Sequence, residues 1–425
     1  MLQTLRNAWK VKEIRKKLIF TMLMLVIFRL GNTIPVPFVN REALAQIFQQ
    51  GEGSLLSFMN LLTGGALGQF TVFAMSIYPY ITASIILQLL TVAIPRLEEL
   101  SKEGEAGQKK IQQYTKIGAV ILGAFQALGI AKKLFAYAIV AKGFLEQASI
   151  IIVLIAGTMF LVWLGDLITE KGIGNGISIL IFVGIISRLP HSVYAWIRGV
   201  MAGQIHPVKA ILMVIIAFLI VAGVVLIAEG ERRINVQYAK RVVGRKMYGG
   251  QATHIPIKVN MGGVMPVIFA SSLLAVPQTI GMLVGGKFGA FSDKYLSLGG
   301  YPGVYIMSIL GVILIILFAF FYTAIQFNTV EYSKNLQQQG GFIPGIRPGR
   351  PTSEYMSRIS NRITFVGAIA LAILWIMPTL LSMIFKLRIG LGGTAIIIVV
   401  GVVLETFKQM ESMLLMRHYK GFLNK

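Results

Sequence analysis

The chain has no cysteine and only four histidines among its 425 residues. Without thiols there is neither a disulfide framework nor a thiolate metal site. His191, His206, His254 and His418 stand too far apart for zinc ligation of the HExxH type, so no metal and no cofactor are expected. A GxxxxGK[ST] run is also missing, and with it the phosphate-cradling loop of nucleotide hydrolases. Any ATP that drives this protein must therefore be hydrolysed by a partner. Ser178 is followed by Ile-Leu-Ile and has no histidine at comparable depth, which speaks against intramembrane hydrolysis and against an enzyme. Ionisable groups inside the apolar stretches are scarce. Arg29 and Glu405 are the clear cases, open to a structural tie or a functional role, while Lys116, Asp166 and Glu229 lie near stretch ends, where long side chains reach the interface. Ion-coupled transport needs charges near the bilayer midplane, and the supply here is thin.

What the chain does have is apolar surface: 55% of residues are hydrophobic and 13% charged, which is far from the balance of a water-soluble domain. Apolar stretches of roughly 20 residues fall near 18–34, 71–94, 112–131, 148–167, 174–190, 208–228, 260–284, 303–325, 362–381 and 391–411, about ten membrane spans. Arg6, Lys10, Lys12, Arg15, Lys16 and Lys17 precede the first stretch like a signal-peptide n-region, but no small-residue cleavage site follows. Residues 1–17 are read as a retained cytoplasmic amphipathic helix containing Leu5, Trp9 and Ile14.

The net charge of +23 raises the question of nucleic acid, and its location answers it. An even number of spans puts both termini on one side, and most Lys and Arg fall there, so both termini are expected in the cytoplasm. Two long loops on that side, 229–259 and 326–361, carry much of the charge, including Arg245 in the first and Arg347 and Arg350 in the second. The positive-inside rule alone would enrich such loops; a docking partner with acidic side chains or phosphates would do the same.

Two shorter-range patterns point to a pore. Residues 53–67 have apolar groups at helical spacing (Leu55, Leu56, Phe58, Met59, Leu61, Leu62) and end at Gly64 and Gly65, a half-length helix that cannot cross the bilayer. Such a segment is tolerated at membrane depth only inside protein or against a water-filled cavity. Pro79, Ile81, Ala83 and Ser84 also match Pro266, Ile268, Ala270 and Ser271 at one offset, and Gly176 and Ile181 match Gly393 and Ile398 at another. Five spans per half would make these inverted repeats, with residues 18–190 and 191–411 as the halves and 412–425 as a cytoplasmic tail. Pro79 and Pro266 are expected to kink their spans near the middle. Ile77, Ile81, Ile177, Ile181, Ile268 and Ile398 are expected near mid-membrane, where they would form an apolar constriction or else serve ordinary packing. The fold expected from these patterns is all-α and polytopic, ten transmembrane helices in two pseudo-symmetric inverted five-helix halves.

The chain resembles the SecY family, the pore subunits of bacterial preprotein translocases, over nearly its whole length. The resemblance is carried by Ile34-Pro35-Val36-Pro37, Gly64-Gly65-Ala66-Leu67, the run from Pro79 to Leu90, Gly172-Ile173-Gly174-Asn175-Gly176-Ile177-Ser178, the run from Asn260 to Pro266, and Gly341-Phe342-Ile343-Pro344-Gly345-Ile346-Arg347-Pro348-Gly349. Tyr78 and Gly262 depart from the family pattern. The resemblance implies a protein-export channel of the bacterial plasma (inner) membrane: a central hourglass pore between the two halves, closed by the isoleucine ring and by residues 53–67 as a short plug helix. It implies a lateral gate between the second and seventh spans involving Pro79, Thr82, Gln88, Asn260 and Pro266, which releases transmembrane segments into lipid. It further implies SecE and SecG as small membrane subunits, and SecA or the ribosome docking on Arg245, Arg347 and Arg350. The substrates would be unfolded preproteins bearing signal sequences. A secondary transporter with inverted repeats is the alternative.

Overall fold

The computed structural model describes residues 2–40, 43–44, 60, 63–131, 138–140, 143–203, 206–238, 241–243, 246–248, 252–297, 301–385 and 392–423. Among these lie fourteen helices and five short strands. In chain order the first helices are α1 (Leu2–Lys10), α2 (Lys12–Gly31), α3 (Tyr78–Ala93), α4 (Pro95–Lys102), α5 (Glu105–Gly129), α6 (Phe144–Lys171), α7 (Gly176–Met201) and α8 (Pro207–Glu229). Strands β1 (Glu231–Tyr238), β2 (Arg241–Val243), β3 (Lys246–Tyr248) and β4 (Ala252–Lys258) follow, then α9 (Met265–Val284), α10 (Gly286–Tyr295), α11 (Gly303–Gln326), α12 (Thr329–Gln338), β5 (Gly341–Phe342), α13 (Arg350–Phe385) and α14 (Gly393–Leu423).

Each of the ten expected spans coincides with a long helix: α2, α3, α5 to α9, α11, α13 and α14. Six of them are long and apolar enough to cross a membrane unaided, and α3 with α4 adds a seventh if that pair, bent by 101°, is one span. The clearest case is α8, apolar on every face yet with Val208, Ile211, Val214, Ile215, Phe218, Leu219 and Leu226 exposed. A helix greasy all round and not buried in protein has lipid as its solvent.

The chain forms two compact units. The first comprises Met1–Ile211, Ser271–Ile309 and Val402–Lys425. Its central helix is α6, which packs on α2, α3, α5 and α7. Ile150, Leu154, Leu161, Leu164 and Ile168 bury one side of α6 completely, at spacings of three, four and seven. Small residues set how closely the neighbours approach: a Cβ on Gly157 would strike the carbonyl of Val72, and one on Gly176 the carbonyl of Gly165. Val36, Leu67, Phe70 and Met75, from the segments flanking α2 and α3, close the core over Ile150 and Leu154.

The second unit comprises Leu212–Ala270 and Leu310–Gly401. In it, β4 and β5 flank β1 in an antiparallel sheet, while β2 and β3 form a separate two-stranded ribbon. Ile234, Val236 and Ile257 of the sheet bury against Phe327, Leu336, Ile343 and Met356. The two basic loops are thus one folded platform, a strand structure the span count did not predict. The pairing Gln237 to Phe342 and Tyr238 to Gly341 is what joins them.

Two further features differ from the sequence expectation. The N-terminal helix does not run to residue 17; it breaks at Val11, and Ile14 lies in the first turn of α2, buried with Ala8, Ile173 and Met410. The charged residues 12–17 nonetheless continue helically into the apolar stretch, because Lys and Arg are good helix formers. Pro79 and Pro266 do not kink their spans in the middle. Each is the second residue of its helix, α3 and α9 respectively, and the chain from 63 to 77 and from 261 to 264 is turn. In a first turn the N–H that proline lacks has no helical acceptor anyway, so proline starts these helices rather than bending them.

Candidate functional site

The expected constriction residues all lie at helix beginnings. Ile77 caps α3 and Ile81 is its fourth residue, one turn on, the Ile81 N–H bonding the Ile77 carbonyl at 3.0 Å. Ile177 and Ile181 are the second and sixth residues of α7. Ile268 is the fourth residue of α9, and Ile398 the sixth of α14. The repeat found in the sequence is therefore a repeat of structural register: proline second and isoleucine fourth in α3 and α9, glycine first and isoleucine sixth in α7 and α14. Ile77, Ile181, Ile268 and Ile398 are buried, Ile81 and Ile177 half-buried. Ile77, Ile81, Ile177 and Ile181 belong to the first unit, Ile268 and Ile398 to the second. Ile177 leans across to α6, where its Cγ1 faces Gly165.

How α7 is held in place explains the Gly172 to Ser178 motif. Gly174 has φ +85°, and a Cβ there would come within 2.6 Å of Ile179 and 3.2 Å of Thr406, so only glycine fits. The turn's amides are bonded on three sides. Ile173 N–H donates to Thr21 Oγ1 of α2 at 3.2 Å, Gly174 N–H to Gln409 Oε1 of α14, and Gly176 N–H to Thr169 Oγ1 of α6 at 2.9 Å. Asn175 then caps α7, its side chain accepting from Ser178 N–H at 3.1 Å. Thr21, Thr169 and Gln409 were not singled out from the sequence. The partners of Thr21 and Gln409 are remote in sequence, and a lone Thr or Gln in an apolar stretch carries no distinguishing signal.

Of the expected plug, Leu55, Leu56, Phe58, Met59, Leu61 and Leu62 lie outside the described residues. Its end is described. Gly64 and Gly65 adopt φ of +66° and +94°, and Asn60 fastens the turn, its Oδ1 accepting from Gly68 N–H at 2.8 Å. Gly64 abuts Gly184 and Ser187 of α7, and Gly65 faces the Arg188 guanidinium. The segment thus terminates against the helix that carries Ile177 and Ile181.

Among the expected gate residues, Thr82 is buried and donates to the Tyr78 carbonyl at 3.1 Å, while Gln88 donates to Ser84 Oγ at 3.3 Å. Asn260 donates to the Gly263 carbonyl at 2.8 Å and so stabilises the turn that precedes Pro266. Tyr78 joins α3 to α9: its phenol donates to the Ser272 carbonyl at 3.2 Å.

The platform of the second unit presents Arg347 on a built loop. β5 anchors one end by pairing with β1, Ile343 is buried beneath, and Gly345 and Gly349 at φ +82° and +101° turn the chain on either side of Arg347. The buried Thr352 hydroxyl donates to the Arg347 carbonyl at 2.8 Å, and Ser333 to that of Gly349 at 2.7 Å. The backbone is fixed and the guanidinium stays exposed. Arg350 instead pairs with Glu354 at 3.0 Å on the surface, a contact of little energetic weight. Arg245 lies outside the described residues. Of the charges inside the spans, Arg29 and Glu405 are exposed, and Lys116 pairs with Asp166 at 2.7 Å between α5 and α6.

A family model described as SecY matches residues 71–407. The protein translocase subunit SecY of Thermotoga maritima is 43% identical over all of this chain and 98% of its own length. Two solved channels share the fold. One, a SecY whose plug domain is described as stabilizing the closed state of the translocation channel and maintaining a membrane seal, superposes with a TM-score of 0.66 at 20% identity, covering 94% of this chain and 92% of that one. The other, Sec61 in a canine ribosome-channel complex from the endoplasmic reticulum, superposes at 0.61 with 19% identity and the same coverage.

Proposed function

The chain belongs to the SecY family, and from that premise we propose how this protein translocase subunit conducts and seals. It is an all-α, multi-pass membrane protein and a protein-conducting channel rather than an enzyme or a secondary transporter. In our reading the isoleucines at the starts of α3, α7, α9 and α14 line the channel's waist and close it at rest. The observation that carries this is the shared register, which puts one isoleucine at the same depth of each repeat-related helix. An apolar waist holds back water and ions by dewetting when empty. Isoleucine offers no hydrogen-bonding group, so the waist discriminates little among passing sequences.

The rest of the proposed mechanism leans on the family resemblance. The segment ending at Gly64 and Gly65 acts as the plug, by analogy with the relative whose plug domain maintains a membrane seal. Helices α3 and α9 part to admit a signal sequence and to release transmembrane segments into lipid. With no phosphate-binding loop in the chain, the driving force comes from SecA or the ribosome docking on the platform that presents Arg347. The basic loops then face the cytoplasm with both termini, the bilayer is the bacterial plasma membrane, and SecE and SecG accompany the chain.

Reconstitution tests this. Vesicles holding the purified complex should import an unfolded preprotein only when the partner ATPase and ATP are added. Passage of a small solute without that ATPase, and no passage of preprotein with it, would favour a transporter.

A further inference from the structure

The Tyr78 hydroxyl is one group the waist and platform do not use. Tyr78 is the first residue of α3 and is buried, and its phenol reaches the backbone carbonyl of Ser272, the eighth residue of α9. Ser272 is itself buried, as are Leu274 and Ala275 on the following turn. Pro277 lies one turn further and lacks an N–H, which leaves the Leu273 carbonyl without its helical donor and loosens α9 at this point. A carbonyl beside such a break has room to accept a donor from outside its own helix. On the α3 side, Thr82 sits one turn above Tyr78 and its hydroxyl is bonded to the Tyr78 carbonyl, so the first turn of α3 is stiffened where the phenol leaves it.

The geometry points to Tyr78 as a latch that sets how readily α3 and α9 separate, and hence how apolar a signal sequence must be to part them. This rests on the reading of those two helices as the lateral gate. Separating them takes the Ser272 carbonyl away from the buried phenol, and an incoming apolar helix supplies no acceptor in exchange. A weakly apolar signal gains too little from burial to offset that loss, while a strongly apolar one does. One neutral hydrogen bond shifts such an equilibrium about 2- to 10-fold.

The test is Tyr78→Phe, which keeps the ring and its packing and removes only the hydroxyl. In vesicles holding the full complex, import of a preprotein with an intact signal should stay within twofold of the unsubstituted protein. Import of the same preprotein with a charge placed in its signal core should rise several-fold. A variant that was merely less stable would lower both. The absence of cysteine allows a second reading without transport: spin labels on cysteines introduced at the exposed Leu89 and Ile280 should show a longer-distance component in Tyr78→Phe. An unchanged import ratio, or superimposable distance distributions, overturns the latch. If the unsubstituted complex imports no preprotein at all, the channel reading falls, and the distance measurement still decides whether the hydroxyl holds the two helices together.

Discussion

Replacing Gln409 by leucine removes the acceptor for the Gly174 amide and nothing else of comparable size. Gly174 is buried in a turn at φ +85°, walled by Ile179 and Thr406, so its N–H has no room to swing toward water. A buried donor left unsatisfied costs about 1–3 kcal/mol, against a total stability of a few such units per hundred residues. If that cost is paid by local opening of the turn, exchange of the Gly174 and Ile173 amides with solvent deuterium should quicken roughly 5- to 150-fold, while amides in the middle of α6 stay unchanged. Gln409→Glu should behave almost as the unsubstituted protein, because a carboxylate oxygen accepts the same bond. Because this turn positions the start of α7, with Ile177 and Ile181, the leucine variant should also leak ions at rest. Unaltered exchange at Gly174 in the leucine variant, or equal acceleration in the glutamate variant, would refute the clamp.

Other outcomes follow from the same geometry. If Ile81 and Ile268 line the proposed apolar waist, Ile81→Asn or Ile268→Asn puts an amide there, and the resting conductance of planar bilayers containing the complex should rise; no change would count against the seal. Gly176→Ala drives a methyl group into the Gly165 carbonyl, an overpacking worth about 1–3 kcal/mol, and should lower the thermal unfolding midpoint. Arg347→Glu reverses an exposed charge on a fixed loop; ATPase-driven import should fall steeply while the unfolding midpoint stays put, and Arg347→Lys should retain part of the rate.

The apolar spans were legible because lipid exposure selects for them directly: α8 has to be greasy on every face, and its sequence says so. Less visible was where a span begins. A window of some 20 residues averages across the turn at 63–77 and so places helix ahead of Tyr78, although Pro79 by itself was a sign of a helix start. The platform sheet carries its own signal beneath the charge of its loops. Ile234 and Val236 alternate with polar neighbours at a period of two, as half-buried strands do, and Ile255 and Ile257 stand at the same spacing. The clamp on Gly174 lay beyond local reading altogether, since its partners Thr21 and Gln409 stand 152 and 235 residues from the amides they accept from. The Gly-rich motif showed that a tight turn was needed, and only the fold showed what grips it.

The proposal that isoleucines at the repeated helix starts line the polypeptide's path is tested most directly by photo-crosslinking. A preprotein stalled part-way through the channel should react with probes placed at Ile81 and at Ile398, and not with one at Phe218 on the lipid-facing side of α8. Silence at Ile81 and Ile398, or equal labelling from Phe218, would contradict the account.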